Sequence, residues 1–154
     1  MKFSYSWLKE LTGSKDTPEE LAEFLTLRVF EVESVEKRGS DFALDVKILP
    51  NRVPDASGHI GLAREIASLR GLELRAWNLE SRIVEKKPAA SEKLQVKIEA
   101  VNDCPRYVAR IIDNIKIRPS PAWLKSRLEV CGLQSINNVV DASASPCMCL
   151  ITTS

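Results

Sequence analysis

Apolar positions along the chain switch between a helical and an extended period, and the switches cut it into short elements. Trp7, Leu8 and Leu11 make a first turn or two of helix, with Ser4 or Ser6 as its cap and Gly13 placed where a helix stops. Thr17-Pro18-Glu19-Glu20 is a stronger start. It combines a Thr N-cap, a proline at the first helical position and the glutamate that completes a capping box. Leu21, Phe24 and Leu25 then form one apolar face. An extended segment around Val32 and Val35 leads to a turn at Lys37–Asp41. Phe42, Leu44, Val46 and Ile48 alternate with Ala43, Asp45 and Lys47, which is strand period, until Pro50. Residues 51–58 read as a loop that caps a helix from His59 to Arg70. Ile60, Ala63, Ile66, Ala67 and Leu69 are its expected inward face, and Gly71 its C-terminal cap.

The pattern thins over residues 80–92, where a linker at 86–91 is expected. Leu94, Val96 and Ile98 then alternate as a strand, and a longer strand spans about Tyr107–Ile117. Ser120 is the expected cap of a helix beginning at Pro121, with Trp123, Leu124, Leu128 and Cys131 on its apolar side and Gly132 closing it. Ile136–Val140 reads as a further buried strand. The expected architecture is α+β: a small three-helix-plus-strands, winged-helix-like N-terminal domain over 1–85, then an incomplete mixed α/β unit over 92–141.

Composition adds little to this. With 44% hydrophobic and 28% charged residues the chain has an ordinary soluble make-up. No stretch approaches a membrane span or the apolar core of a signal peptide, so the expected location is cytoplasmic. The 22 bases and 21 acids give a net charge of +1, too balanced for wrapping nucleic acid by charge alone. Charge is unevenly placed, however. Arg106, Arg110, Lys116, Arg118, Lys125 and Arg127 lie close together in the chain with Asp113 as the lone acid among them. They can contact RNA phosphates or simply form a solvated strand face. After Asp141 no charged residue occurs, so 142–154 is an atypical tail.

Self-contained catalytic chemistry is not visible. The cysteines at 104, 131, 147 and 149 lack C-x-x-C spacing, which argues for reduced thiols and against a metal site. The only histidine, His59, opens a helix and reads as a residue making ordinary hydrogen bonds. No phosphate-binding glycine loop is present. Asp45, Asp55 and Glu65 are candidates for acid–base work, but strand and turn roles suit Asp45 and Asp55 better.

Longer motifs say more. MKFSYSWLKEL and TPEELAEFLTLRVFEVESVE resemble the start of the beta subunit of bacterial phenylalanyl-tRNA synthetase. LDVKILPNRVPDASGHIGLAREIASLRG is similar to its strand–PNRPD–helix segment, with Val53 as an extra residue inside the motif. CPRYVARIIDNIKIRPSPAWLKSRLEVCGLQSINNVVD resembles the start of its editing domain, ending in an INNVVD signature. The resemblance runs in order through residues 1–141.

The resemblance implies the N-terminal part of that ligase subunit, with a structural and tRNA-contacting role in phenylalanyl-tRNA formation. It implies no catalysis by this chain itself, because ATP, Mg and phenylalanine are handled by the alpha subunit. Hence no cofactor and no metal are expected here. The alpha subunit is the implied partner of the full enzyme, although the domain that contacts it is missing. Most family members insert a tRNA-binding barrel between Glu36 and Phe42, where this chain has only KRGSD, so tRNA contact is at most weak. Asn137, Asn138 and Asp141 would order the backbone around the editing pocket. Ser143 and Ala144 would be remnants of that pocket, the alanine standing where the family has asparagine. Two other readings stand beside this one: a free-standing RNA-binding module, and a non-functional truncated or frameshifted product. An incomplete second unit would leave strand edges and apolar surface open, so it is expected to be marginal.

Overall fold

The computed structural model describes residues 1–75, 97–107 and 114–149. Three strands, β1 (Lys2–Ser4), β2 (Val32–Arg38) and β3 (Asp41–Val46), form an antiparallel sheet in the order β1-β3-β2. The helices are α1 (Tyr5–Thr12), α2 (Pro18–Arg28), the four-residue α3 (Val53–Ala56), α4 (His59–Arg70), α5 (Ala122–Val130) and α6 (Asn138–Cys149). The α+β class is therefore as expected.

Local chemistry sets the helix ends. Ser4 Oγ accepts the Trp7 N–H at the start of α1, and Gly13 closes that helix with φ at 67°. Thr17 and Glu20 make the reciprocal capping box of α2, with Pro18 inside its first turn. Accepting the Thr17 N–H holds the Glu20 carboxyl below its usual range. Gly71 closes α4 in the left-handed region.

The β2–β3 connection is tighter than the expected turn. Arg38 pairs directly with Asp41, leaving Gly39 and Ser40 as a two-residue loop with φ at 61° for Gly39. Such a loop joins antiparallel strands without splaying them. The chain therefore passes straight from one strand to the next at the place where the longer insertion would lie.

One apolar core occupies the N-terminal part. Phe3, Leu8, Leu21, Leu25, Leu44, Val46, Leu62 and Ile66 are essentially sealed from solvent. Phe3 pairs with Leu44 across β1 and β3, so both project into this core. The opposite sheet face carries Ser4 and Ala43, and Ala43 is buried as well because α5 packs on β1 and β3. The simple alternation expected for β3 fails there: the central strand is covered on both faces.

Other expectations need correction. Residues 50–56 are a 3-10 turn (Pro50–Arg52) and α3, where a loop was expected. Arg52 makes this compact by pairing with Asp55 at 2.7 Å and with Glu65 of α4, while lying over Phe30. These partners raise the arginine pKa further and, with Arg52 as hydrogen-bond donor, lower that of Asp55. On α4 the buried positions are His59, Leu62, Ala63, Ile66 and Ala67, whereas Ile60 is half-buried and Leu69 exposed. Gly61 lets α4 approach the α3 backbone: a Cβ there would lie 1.9 Å from the Asp55 carbonyl oxygen. Ile136–Val140 is not a strand, since α6 starts at Asn138. Ser120 does not cap α5, whose N-cap is Pro121 without a side-chain bond. Trp123, expected inward, is 60% exposed. Residues 97–107 and 114–117 carry no strand. The 86–91 linker, the first part of the Leu94–Ile98 strand and residues 108–113 lie outside the described residues.

Candidate functional site

The most ordered polar arrangement in the C-terminal part is built by Asn137, Asn138 and Asp141. Asn137 Oδ1 accepts the N–H groups of Val139 and Val140, each at 3.0 Å, which caps α6. Asn138 reads a neighbouring segment by its backbone. Its Oδ1 accepts the Arg118 N–H at 2.9 Å, its Nδ2 donates to the Lys116 carbonyl at 3.1 Å, and its own N–H donates to the Arg118 carbonyl at 2.9 Å. Asp141 is 1% exposed and accepts three bonds: Ser120 Oγ at 2.5 Å, Ser135 Oγ at 2.6 Å and the Ile136 N–H at 3.0 Å. The Ile136 amide and then the two serine hydroxyls hold its carboxyl below the usual range. Together these side chains tie segment 116–120, the loop before α6 and α6 itself into one clasp. Ser120 is thus engaged with Asp141, which explains why it does not cap α5.

The β-branched run Val139-Val140 suggested a strand. The competing signal was present: an asparagine before the run and an aspartate in the first turn are helix-start features. Both valines are about two-fifths exposed, so burial did not favour a strand.

The six bases do not form one free face. Arg106, Lys116 and Arg118 are exposed, and Arg110 lies outside the described residues. Lys125 is 3.7 Å from Glu129 one turn along α5. Arg127 turns the other way, pairing with Glu10 of α1 and lying over the rings of Trp7 and Trp123 at 5.0 and 5.7 Å. It therefore fastens α5 to α1. Ser143 is exposed and donates to the Val140 carbonyl at 2.7 Å, with Ala144 half-buried beside it on α6. Of the acid–base candidates, Asp55 and Glu65 share Arg52, and Asp45 pairs with the N-terminal amine at 2.9 Å. Among the described residues no three potential metal ligands gather.

One site was poorly legible in advance. His59 is 1% exposed, stacked on Trp7 at 4.3 Å and tilted against Phe3 at 5.1 Å. Its Nε2 accepts the Ser4 N–H at 3.0 Å and lies 3.8 Å from Cys131 Sγ. Ser4 Oγ in turn donates to Asp41 at 2.6 Å, so the aspartate expected in the turn is instead buried at the start of β3. Nothing in the spacing of residues 4, 41, 59 and 131 announces this meeting.

Comparison with known proteins addresses the same segments. A family model described as the B3/4 domain matches residues 103–144, which include the clasp. A phenylalanine–tRNA ligase beta subunit of Rhodopirellula baltica is 36% identical over 143 residues, covering 93% of this chain and 21% of the relative. By sequence, this chain is a relative of phenylalanine–tRNA ligase beta subunits. The beta subunit from Anaeromyxobacter dehalogenans is 50% identical over 103 residues, 67% of this chain and 12% of its own length. That from Thermotoga maritima is 41% identical over 113 residues, 73% and 14% respectively. The chain thus spans about a fifth or less of these beta subunits. No helix among the described residues is long and apolar enough to cross a membrane.

Proposed function

We propose that this chain serves as the N-terminal scaffold segment of a phenylalanine–tRNA ligase beta subunit, contributing structure and tRNA contact to aminoacylation without catalysing it. The observation that carries this reading is the 36% identity sustained over 143 residues of one such subunit. The geometry supports the scaffold role. The polar side chains of the clasp are spent on backbone amides, carbonyls and serine hydroxyls, and its carboxylate, Asp141, is 1% exposed with three donors on it. In this reading residues 1–85 form the first domain and 92–141 the beginning of an editing-type domain, ordered by Asn137, Asn138 and Asp141. Partnership with an alpha subunit and a cytoplasmic location follow from the same relationship. ATP and Mg belong to the alpha subunit's chemistry.

For tRNA the exposed bases are Arg106, Lys116, Arg118 and, paired with Glu129, Lys125. Lys116 and Arg118 present their side chains from a segment whose backbone Asn138 holds. Phosphate contacts of this kind give affinity that falls with salt. The test has two parts. Purified chain should show no phenylalanine-dependent ATP–pyrophosphate exchange, and measurable exchange overturns the reading. Binding to tRNA at low salt should weaken about three- to tenfold in a Lys116→Ala, Arg118→Ala double variant. Unchanged affinity removes these two residues from the contact.

A further inference from the structure

We propose that the exposed ring of Trp123 is a stacking platform for an unpaired nucleotide, with Lys116 and Arg118 taking the phosphates beside it. This rests on the tRNA-contacting reading above and deepens it: the RNA held here is single-stranded, not duplex.

Tryptophan is a large apolar side chain that gains by leaving water. Trp123 is nevertheless 60% exposed, while Leu124 and Leu128 of the same helix are buried. Helix α5 thus packs its inner face on the sheet and turns the indole outward. The ring is not loose. Arg127, one turn further on, lies over it at 5.7 Å, and is itself held by Glu10 of α1 and by the Trp7 ring at 5.0 Å. A cation fixed in this way steadies the indole and leaves ring surface open to a second partner.

The stretch leading to the ring is equally fixed. Asn138 holds the Lys116 carbonyl and both backbone groups of Arg118, and Asp141 holds the Ser120 hydroxyl. Pro119 and Pro121 restrict φ on either side of Ser120. Arg118 and Trp123 are five residues apart, so their Cα atoms lie within about 18 Å. The Lys116 and Arg118 side chains are exposed, and among the described residues neither has an acidic partner. The neighbouring acids are engaged: Glu129 with Lys125, Glu10 with Arg127, and Asp141 buried under its three donors. The surplus charge around the indole is therefore positive, which complements a phosphate backbone. An aromatic face beside free cations suits a single strand, whose bases stack on the ring while the cations follow the phosphates. A duplex keeps its bases stacked on one another and offers none to the ring. Because this stretch is ordered before binding, little conformational freedom is lost on contact.

The experiment measures binding of tRNA, a short oligoadenylate and a blunt RNA duplex to the full chain by fluorescence anisotropy over a range of salt. Trp123→Ala should weaken oligoadenylate binding about five- to a hundredfold, with an unchanged salt slope and little effect on the duplex. Trp123→Leu, which keeps apolar bulk without a π face, should weaken it likewise, and Trp123→Phe should retain most of the affinity. The Lys116→Ala, Arg118→Ala double variant should instead flatten the salt slope by about one to two. Should Trp123→Ala fail to fold, the contrast between Leu and Phe decides. Equal affinities for those two variants overturn the proposal, as does equal weakening of single strand and duplex. Self-association that Trp123→Leu abolishes while RNA affinity is unchanged assigns the ring to a protein contact and also overturns it. If the wild-type chain binds tRNA and the Trp123 variants match it, this proposal falls and the tRNA reading stands. If the wild-type chain binds no RNA at low salt, both fall.

Discussion

Residues 1–75 and residues 114–149 reach order by different means. In the first region large apolar side chains meet one another: Phe3, Leu8, Leu21, Leu25, Leu44, Leu62 and Ile66 are buried together under a three-stranded sheet. In the second, Ile115, Ile117, Trp123, Leu133 and Ile136 are exposed, and among the residues whose side chains are described Leu124, Leu128 and Val130 of α5 are the buried apolar ones. What holds the second region is a carboxylate and two asparagine side chains, plus the seats of α5 on β1 and β3 and of α6 on α4. Burying a leucine gives roughly 1.5–3 kcal/mol, whereas a net hydrogen bond gives only about 0.5–1.5. The first region should therefore be the cooperative unit, and the second should open by itself at lower cost.

Five experiments can break or sharpen that contrast, in descending size of effect. Gly61→Val should be the most damaging, because its Cβ collides with the backbone of α3 rather than with a flexible side chain. A loss exceeding about 4 kcal/mol is expected, visible as a lost cooperative transition in far-UV circular dichroism. Leu8→Ala should cost about 2–5 kcal/mol in denaturant unfolding and lower the stability of the whole chain, α5 included.

Asp141→Ala should act locally. Hydrogen exchange of amides from Ser135 to Cys149 should speed up about ten- to a hundredfold while the α2 and α4 amides keep their rates. If α2 and α4 accelerate equally, the two regions form one cooperative unit and the contrast fails. The same carboxylate sets an acid limit. Its pKa is lowered on folding by the Ile136 amide and the two serines, so its contribution is present above the unfolded carboxyl value near 3.8. That contribution is lost as pH falls through the lower folded value. Exchange in α6 should therefore rise below about pH 4, and Asp141→Asn should remove that pH dependence. Smallest of all, Lys125→Ala breaks an exposed pair one turn apart on α5 and should change stability by less than about 0.5 kcal/mol. A larger change in thermal unfolding would mean that α5 is held by its outer charges and not by its inner face.

How much of this was legible depended on the range of the interaction. The caps at Thr17 and Gly71, the capping glutamate and the start of α4 at His59 all rest on neighbours within a few residues and stand where the pattern put them, and of the two serines offered for α1 the structure uses Ser4. The reading failed where a distant partner chose. Ser120 looked like a cap until Asp141, 21 residues away, took its hydroxyl. Trp123 looked inward because nothing local shows that its face of α5 is the outer one. Asn137, Asn138 and Asp141 were singled out only through the family resemblance, by the INNVVD signature that holds them. Their mechanics were not legible, because the groups they hold come from segment 116–120 and from the residues just before α6.

By itself the sequence determined the family relationship, the α+β class and the local starts and stops, because these follow from residue identity and short-range backbone chemistry. Only the tertiary structure decided which polar groups are buried and with whom. Asp41, His59 and Cys131 are far apart in the chain and individually unremarkable. Packing α5 onto the sheet excludes water from that seam, and there each buried donor or acceptor must find its partner within the protein.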